Sequence, residues 1–258
     1  MADDPRQKLV PAVQSGTSIL RHLSANGTPM GATQIARDCG LNVSSAFNIL
    51  RTLSHEGLVS FDPQAKTYRL GLGLLDLAAP LLTASPTDMI HPLIAAIAEN
   101  HQVMIALWHV TDTGRIVLTD RVTARRVVQA VIARDSRLPV FAGAVGRCYA
   151  AAMDLDKEST HAGYGSVRWQ SEPGFAAYWA DVQRARTTRY AADHGHLFRG
   201  LEIVAAVARD RNGTPRIGMS SITIAGQHGE AELTSVGEAL AKAARRIERG
   251  IFGRRDTA

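Results

Sequence analysis

The stretch of residues 32–53 constrains the fold of this chain most, because two short amphipathic helical patterns meet there at a glycine. In the first pattern Ile35 and Ala36 fall on one side, with Cys39 just beyond them. Gly40 then supplies the backbone freedom that a sharp turn needs. Two short helices joined in this way are typical of a helix-turn-helix unit, in which the second helix enters the major groove of DNA.

The second helical pattern begins near Asn42 or Ser44 and has two different faces. Apolar residues recur at helical spacing on one face, namely Ala46, Phe47, Leu50 and Leu53. The other face carries Ser44, Ser45, Asn48, Arg51 and Thr52. We expect the apolar face to be buried and the polar face to exchange hydrogen bonds with DNA.

A hairpin pattern follows this helix directly. Residues 58–61 and 67–70 alternate like strands on either side of the turn residues 62–65. The combination predicts a winged helix-turn-helix, whose wing would bring Lys66 and Arg69 to the phosphate backbone or a minor groove. The alternative is that the two helices and the hairpin only pack together and that their polar faces are exposed to solvent without binding DNA. The agreement of spacing, turn glycine and hairpin in one order favours DNA binding.

The chain is long enough for two modest domains, since it has 258 residues of which 45% are hydrophobic. The patterns divide it into a flexible tail (1–14), the winged helix-turn-helix domain (15–71), a linker helix (72–85) and a second domain (86–258). The linker segment is too apolar to remain in water by itself. We therefore expect it to pack against another domain or a second subunit.

The second domain alternates between helical and strand patterns. Helices are predicted over residues 89–100, 145–153, 175–192 and 230–252, and strands over residues 103–110, 115–122, 127–133, 203–208 and 217–225. A polar loop is expected between the second and third of these helices. Antiparallel strands bracketed by long helices predict an α+β domain that can form a cup on its sheet. The fold class is thus a multidomain α/β protein with a mainly antiparallel sheet.

The charge distribution gives only weak support to nucleic-acid binding. The net charge is +5, but residues 1–85 carry seven Lys and Arg against six Asp and Glu. Modest attraction to phosphate in each subunit favours a protein that pairs subunits to bind tightly. The sequence contains neither an apolar run of membrane-spanning length nor the apolar core of a signal peptide, so we expect a cytoplasmic protein.

Catalytic and metal-binding motifs are missing from the sequence. It has no Gly-x-Ser-x-Gly, no His-Glu-x-x-His, no Walker loop and no Gly-x-Gly-x-x-Gly after a strand, so no catalytic residue, cofactor or metal is expected. His194 and His196 are half of a metal site or, more simply, part of an exposed loop. Trp108 and Phe141 are pocket walls or core residues. Two rival functions stay open: a small-molecule enzyme with an N-terminal dimerisation unit, and a DNA-binding protein without a ligand.

The order of these motifs resembles the IclR family of bacterial transcriptional regulators from Ser15 to about Phe252. The most specific match, GLNVSSAFNILRTLSHEGLVSFDPQAKTYRLGLGLLDLA, is similar to that family's recognition helix, wing and linker start. Weaker matches are LPVFAGAVGRCYAA, TRYAADHG and GLEIVAAVARDRNGTPRIGMSSIT. The resemblance implies a GAF-like effector-binding domain behind the linker. It also implies a homodimer or a dimer of dimers that binds a palindromic operator in double-stranded DNA and responds to a small organic, often aromatic, acid.

The resemblance also implies which residues contact the partners. The DNA-reading positions of the family fall on Ser44, Ser45, Asn48, Arg51 and Thr52. Asn48 departs from the arginine that is usual there, and because asparagine pairs with adenine whereas arginine pairs with guanine, the preferred base should differ from that of relatives.

The implied effector pocket lies around Ala144 and Val145, whose backbone N–H groups open a helix and suit a carboxylate. Its polar positions match Asp193, Ser221 and Thr223, and the last two are spaced so that their hydroxyls share one face of a strand. Ile203 stands where the family often has a cysteine. This change makes the pocket more apolar, which suits an aromatic or otherwise bulky acid.

Overall fold

The computed structural model describes residues 9–83, 85–125 and 129–254, with the side chains of residues 80–83 left undescribed. The chain forms two compact units, Met1–Ala84 and Ser85–Ala258. The N-terminal unit contains helices α1 (Pro11–Asn26), α2 (Ala32–Asp38), α3 (Val43–His55) and α4 (Gly73–Thr83) and strands β1 (Met30–Gly31), β2 (Val59–Asp62) and β3 (Thr67–Leu70). Its strands form an antiparallel sheet in the order β1-β3-β2.

Helix α1 includes the last residues of the expected flexible tail. It starts at Pro11 rather than Ser15, so residues 11–14 of the expected tail are helical; residues 1–8 of that tail lie outside the described residues. Proline is favoured at the first position of a helix because its missing N–H would have no partner there. Gly27 ends the helix with φ 68°, a left-handed conformation that glycine adopts without strain.

The predicted helix-turn-helix and wing are confirmed. Helix α2 has the predicted bounds, Gly40 adopts φ 65° in the turn, and Asn42 caps α3 by accepting a 2.7 Å hydrogen bond from the Ser45 backbone N–H. Strands β2 and β3 form the hairpin. The core of the unit consists of Ile19, Leu23, Met30, Ile35, Leu50, Val59 and Tyr68.

The predicted burial of Phe47 is wrong. Ala46 and Leu50 are fully buried, whereas the Phe47 residue is 50% exposed, and the partly buried Ile49 packs against the core instead. At roughly 100° per residue, Phe47 and Ile49 lie on opposite flanks of the face centred on Ala46 and Leu50, and only the flank that carries Ile49 is covered. Helical spacing alone predicts that Phe47 is buried together with Ala46.

The C-terminal unit contains one sheet with helices on both faces. Its elements are α5 (Pro86–His101), β4 (Met104–Val110), β5 (Arg115–Thr123), β6 (Arg137–Pro139), α6 (Gly143–Ala152), α7 (Lys157–Gly165), α8 (Phe175–Thr188), β7 (Ala191–His194), β8 (Leu201–Arg209), β9 (Pro215–Ile224) and α9 (Glu230–Gly250). The strand order is β6-β5-β4-β9-β8-β7, and neighbouring strands pair antiparallel. The mainly antiparallel sheet is therefore confirmed.

The two faces of this sheet bury separate apolar clusters. On one face Ile105, Val204 and Met219 pack with residues of α5 and α9. On the other face Trp108 and Ile203 pack with residues of α6. Trp108 is almost fully buried, so it belongs to the core. Residues that alternate along a strand are therefore directed to different helices.

Three predictions in this unit are wrong. Residues 129–133 form no strand, residues 126–128 lie outside the described residues, and β6 pairs with β5 further along the chain. The predicted polar loop contains α7, which Asp156 caps by accepting a 2.7 Å hydrogen bond from the Ser159 N–H. Helix α8 ends at Thr188 rather than near residue 192, because Arg189 adopts φ 64° and β7 follows.

Candidate nucleic-acid interface and ligand site

Helix α3 presents an exposed polar face, formed by Ser44, Asn48 and Arg51. The Ser44 hydroxyl donates a 3.0 Å hydrogen bond to Asn42 Oδ1, which ties it to the start of the helix. Residues three and four apart are surface neighbours on a helix, so Ser44, Asn48 and Arg51 form one continuous patch. This patch offers hydroxyl, amide and guanidinium groups, which are the groups that recognise base edges.

The other two predicted DNA-reading residues of α3 are Ser45 and Thr52, and of these only Thr52 is exposed. Ser45 is half-buried, and the Thr52 hydroxyl donates a 3.0 Å hydrogen bond to the Asn48 carbonyl oxygen. Thr52 and Asn48 also line a groove of about 450 Å³ whose other residues are Ala12, Val13, Gly16, Thr17, Leu20, Ile49, Leu53 and Leu58. This flank of α3 therefore borders on α1.

The wing carries both of its predicted cations at the surface. Lys66 lies in the hairpin turn with φ 52°, and Arg69 lies on β3. Both side chains are exposed. The turn before Lys66 is held by Asp62, whose carboxylate accepts hydrogen bonds from the N–H groups of Gln64 and Ala65. A turn fixed in this way can hold a cation against a phosphate backbone.

The start of α4 exposes several large apolar side chains. Leu72, just before the helix, is 79% exposed, and Leu75 and Leu77 within it are 56% and 67% exposed. The predicted linker residues Leu81 and Leu82 have side chains outside the described residues. An apolar surface of this kind marks an interaction site.

The predicted effector residues divide between the two faces of the C-terminal sheet. Ala144, Val145 and Ile203 belong to the cluster on the α6 face. Ser221 pairs with Val204 and Ile105, which belong to the opposite cluster. Ser221 and Thr223 do share one face of β9, as the alternation predicts, but it is the face of α5 and α9.

The hydroxyls of Ser221 and Thr223 are also engaged within the sheet. Ser221 Oγ lies 3.3 Å from both the N–H and the carbonyl oxygen of Val204, and Thr223 Oγ1 donates to the Glu202 carbonyl oxygen at 3.3 Å. Ser220, the neighbour of Ser221 on β9, faces α6 instead, and its hydroxyl accepts a 2.9 Å hydrogen bond from Trp108 Nε1. The structure therefore does not bring the predicted hydroxyls together with Ala144 and Val145.

Asp193 is fully buried in a charged cluster that the sequence analysis missed. One of its oxygens accepts a 2.9 Å hydrogen bond from Arg147 Nη1, and the other accepts the N–H groups of His196 and Leu197 at 3.1 and 3.0 Å. Arg147 is also fully buried, and its Nε donates to Asp181 at 3.0 Å. The Asp193 carboxylate is thus occupied by the chain, and Arg147 is the charged group held beside it.

Aromatic rings surround Arg147. Its guanidinium carbon lies 4.8 Å from the ring centroid of Tyr178 and 5.8 Å from that of Trp169. Two buried donors in this region, Arg147 Nη2 and Trp169 Nε1, make no hydrogen bond within the described part of the chain. Unpartnered buried donors are costly, and they indicate a place for an acceptor that the chain itself does not supply.

The N-terminus of α6 lies beside the cluster of Arg147 and Asp193. Ala142 provides no side-chain cap, so the first N–H groups of the helix, including those of Ala144 and Val145, have no partner from the capping residue. A Cβ built on Gly143 would lie only 2.9 Å from Leu197 Cδ2, and Leu197 follows Asp193 in the loop after β7. An uncapped helix start beside an arginine favours an anion.

Burial raises the pKa of three further groups near this cluster. It raises the pKa of the Cys148 thiol to about 12, despite an opposing hydrogen bond at Ala191 and the charge of Arg147. Burial also raises the pKa of Tyr178, although the charge of Arg147 opposes it. Burial and a hydrogen bond to Glu172 raise the pKa of Tyr164 to about 12. These groups stay neutral, and the two cysteines, Cys39 and Cys148, are free thiols.

His194, at the end of β7, and His196, just after it, do not assemble a metal site. His194 lies 2.5 Å from Glu202, and His196 lies 3.8 Å from Asp193. Among the described residues, no three His, Cys, Asp or Glu side chains come together as a metal ion would require. The described helices likewise fall short of the length and hydrophobicity that crossing a bilayer requires.

Comparison with known proteins relates both units to one family. Residues 12–63 match the model of the IclR helix-turn-helix domain, and residues 87–249 match that of the bacterial transcriptional regulator IclR C-terminal domain. The chain is 26% identical to the glycerol operon regulatory protein of Streptomyces coelicolor over 231 residues, which is 83% of this chain and 84% of that protein.

Two solved structures share the fold. The Agobacterium tumefaciens repressor BlcR is 19% identical with a TM-score of 0.67, and the match covers 97% of this chain and 100% of that one. An IclR homologue from Microbacterium hydrocarbonoxydans, complexed with 4-hydroxybenzoate, is 18% identical with a TM-score of 0.50 over 92% of this chain and 97% of that one. The chain therefore belongs to the IclR family of bacterial transcriptional regulators, which bind DNA, respond to a small-molecule effector and are not enzymes.

Proposed function

We propose that this regulator binds a palindromic operator as a dimer or a dimer of dimers and that a small organic acid changes its affinity for that operator. Residues 15–71 would bind DNA, residues 72–85 would link the domains, and residues 86–258 would bind the effector. The observation that carries the proposal is the exposed polar face of α3 beside a wing whose Lys66 and Arg69 are both exposed.

In the proposed DNA complex, Asn48 and Arg51 read base edges. The Asn48 amide pairs with an adenine and the Arg51 guanidinium with a guanine, since these pairings match donors with acceptors in the major groove. Ser44, Ser45 and Thr52 complete the contact surface of α3. Lys66 and Arg69 contact phosphate and add affinity that does not depend on sequence. Because the N-terminal unit is nearly neutral, two subunits would together supply the attraction to phosphate that one subunit lacks.

Pairing of subunits is supported by the exposed leucines at the start of α4. Leu72, Leu75 and Leu77 would leave water when two linker helices meet, which gives the pairing a hydrophobic driving force. Two α3 helices would then reach successive major grooves on one side of the operator.

For the effector we propose a site on the α6 face around Arg147. A carboxylate of the effector would accept hydrogen bonds from Arg147 Nη2 and from the N–H groups of Ala144 and Val145. Asp193 and Asp181 would position the guanidinium rather than contact the ligand. Trp169 and Ile203 would line the apolar part, whereas Ser221 and Thr223 lie on the other face.

An aromatic acid fits this chemistry. Tyr178 and Trp169 surround the charged group, and an aromatic carboxylate would pair an anion with Arg147 while it packs its ring on these side chains. The homologue complexed with 4-hydroxybenzoate supports the same class of ligand for this chain. The effector can act only through different affinities for two arrangements of the subunits.

The proposal is tested by fluorescence-anisotropy titration of the full-length protein on duplex DNA that flanks its own gene. We expect specific binding that one member of a panel of aromatic and aliphatic acids, including 4-hydroxybenzoate, changes by about 5- to 150-fold. Trp169→Phe, which removes only the indole N–H and part of the ring, should alter the response to that acid and leave the affinity for DNA unchanged. Binding no tighter than to random DNA would contradict the proposal.

The role of Asn48 is tested by base substitutions in the bound site. Asn48→Ala should remove the preference for one A·T pair in each half-site, a loss of about 1–3 kcal/mol of discrimination. A loss of affinity that is equal for every sequence would instead make Asn48 a phosphate or packing contact.

A further inference from the structure

Two large apolar side chains are exposed next to the polar face of α3. Val43 is 52% exposed and Phe47 is 50% exposed, one helical turn apart. Residues three and four apart are neighbours on a helix surface, so Phe47 adjoins both Ser44 and Arg51. The apolar pair therefore continues the surface that we propose to face DNA.

The pair lies away from the apolar groove of the same unit. That groove is bordered by Asn48 and Thr52 together with residues of α1. Phe47 precedes Asn48 by one residue and is thus rotated by roughly 100° around the helix. Val43 lies in the first turn of α3, the part of a recognition helix that approaches base edges. Val43 and Phe47 therefore lie on the exposed side of α3 that we propose to face DNA.

The major groove offers one prominent apolar group at its base edges, the C5 methyl of thymine. We infer that Phe47 and Val43 bind thymine methyl groups, so that each operator half-site carries thymine opposite this part of α3. The inference rests on the proposed operator binding. It adds readout by apolar contact to the hydrogen bonds of Asn48 and Arg51.

This inference is tested by deleting single methyl groups from the DNA. A bound site is first selected by the full-length protein from a random duplex library and then resynthesised with one thymine at a time replaced by uracil. Uracil keeps every hydrogen-bonding group of thymine and lacks only the methyl. We expect the affinity to fall about three- to fivefold when one or two particular thymines of each half-site are replaced. This factor corresponds to the free energy of burying one methyl-sized apolar group.

The protein variants decide which residue reads the methyl. With Phe47→Ala the affinity should be lower for the thymine site, and uracil at the critical position should then have no further effect. Phe47→Leu, which keeps an apolar side chain, should retain most of the sensitivity. Asn48→Ala is the matched control on the same helix: it should weaken binding and keep the full uracil effect.

Three outcomes would overturn the inference while operator binding stands. In the first, replacing each thymine by uracil leaves the affinity unchanged. In the second, the loss of affinity caused by uracil is as large in Phe47→Ala as in the wild type. In the third, Phe47→Ala has a different molar mass in solution, which would make Phe47 a contact between subunits. A library from which no sequence is enriched would instead count against operator binding itself. Since Phe47 is exposed, the thermal unfolding of Phe47→Ala should match that of the wild type and so exclude misfolding.

Discussion

The two units of this regulator bury different kinds of side chain. The described core of the N-terminal unit is apolar, with residues such as Ile19, Ile35 and Leu50. The interior of the C-terminal unit also contains Arg147 and Asp193 at full burial. Within the part of the chain that the structure describes, every buried charged side chain belongs to the C-terminal unit.

This difference corresponds to two ways of recognising a partner. In the function proposed above, the N-terminal unit uses its apolar core as a scaffold and carries its recognition groups, Asn48 and Arg51, on the outside. In the effector site that we propose for the C-terminal unit, the recognition group, Arg147, is itself internal. Arg147 is fixed by Asp181 and Asp193, and its Nη2, which makes no hydrogen bond within the described part of the chain, is the nitrogen that we propose for the ligand. A small anion can then meet a charge that water does not screen.

Glu248 is a second buried charge that is held by partners of opposite charge. Glu248 on α9 is almost fully buried and accepts hydrogen bonds from Arg189 and from the backbone and side chain of Arg209. Burial alone would raise the pKa of this carboxyl, but these bonds outweigh burial and lower it. The carboxylate therefore stays charged inside the unit. Arg147, Asp193 and Glu248 therefore each have a partner of opposite charge within the unit.

Removing Arg147 should have the largest effect on stability. Arg147→Met leaves the fully buried Asp193 without its cation, and breaking such a buried pair costs about 3–5 kcal/mol. Denaturant unfolding should show the loss in the transition of the C-terminal unit alone.

Arg184→Met is the matched control, because Arg184 also pairs with Asp181, at 3.3 Å, while its side chain is 71% exposed. We expect it to cost less than about 1 kcal/mol. Similar losses for the two variants would show that burial of the charge does not matter, and the contrast between the units would lose its basis.

The apolar core of the N-terminal unit should respond to a cavity. Leu50→Ala removes a fully buried side chain and should cost about 2–5 kcal/mol in that unit, with loss of DNA binding and no change in the C-terminal transition. Phe47→Ala on the same helix should cost less than about 0.5 kcal/mol, since the side chain is exposed. Calorimetry of the two variants measures this contrast. Equal costs would place Phe47 in the core, as the helical spacing had predicted.

Local signals explain why the N-terminal unit could be predicted well. Gly40 in the turn and Asn42 at the start of α3 act on adjacent residues, so α2, α3 and the hairpin were predicted to within a residue or two. Phe47 was misplaced because an apolar residue beside Ala46 and Leu50 fits a helical period without being buried. The pattern predicts a helix, but the packing of α1 and α2 decides which flank is covered.

The C-terminal site could not be predicted in the same way. Arg147 lies 34 residues from Asp181 and 46 residues from Asp193 in sequence, and it occurs within an apolar helical pattern that gives no sign of a partner. Alternation correctly placed Ser221 and Thr223 on one face of a strand. Which face this is depends on whether α6 or α9 covers it, and that is settled only when the sheet is assembled.

The smallest effect should come from the cap of α3. Asn42→Ala removes the acceptor of the Ser45 N–H and of the Ser44 hydroxyl, so it should destabilise the N-terminal unit by about 1 kcal/mol and leave the C-terminal unit unchanged. Asn42→Asp keeps a capping oxygen and should retain stability. Thermal unfolding of the three proteins measures the difference. If aspartate fails to restore what alanine removes, the stability of α3 depends on its buried face rather than on its cap, and even this unit would be governed by packing rather than by local signals.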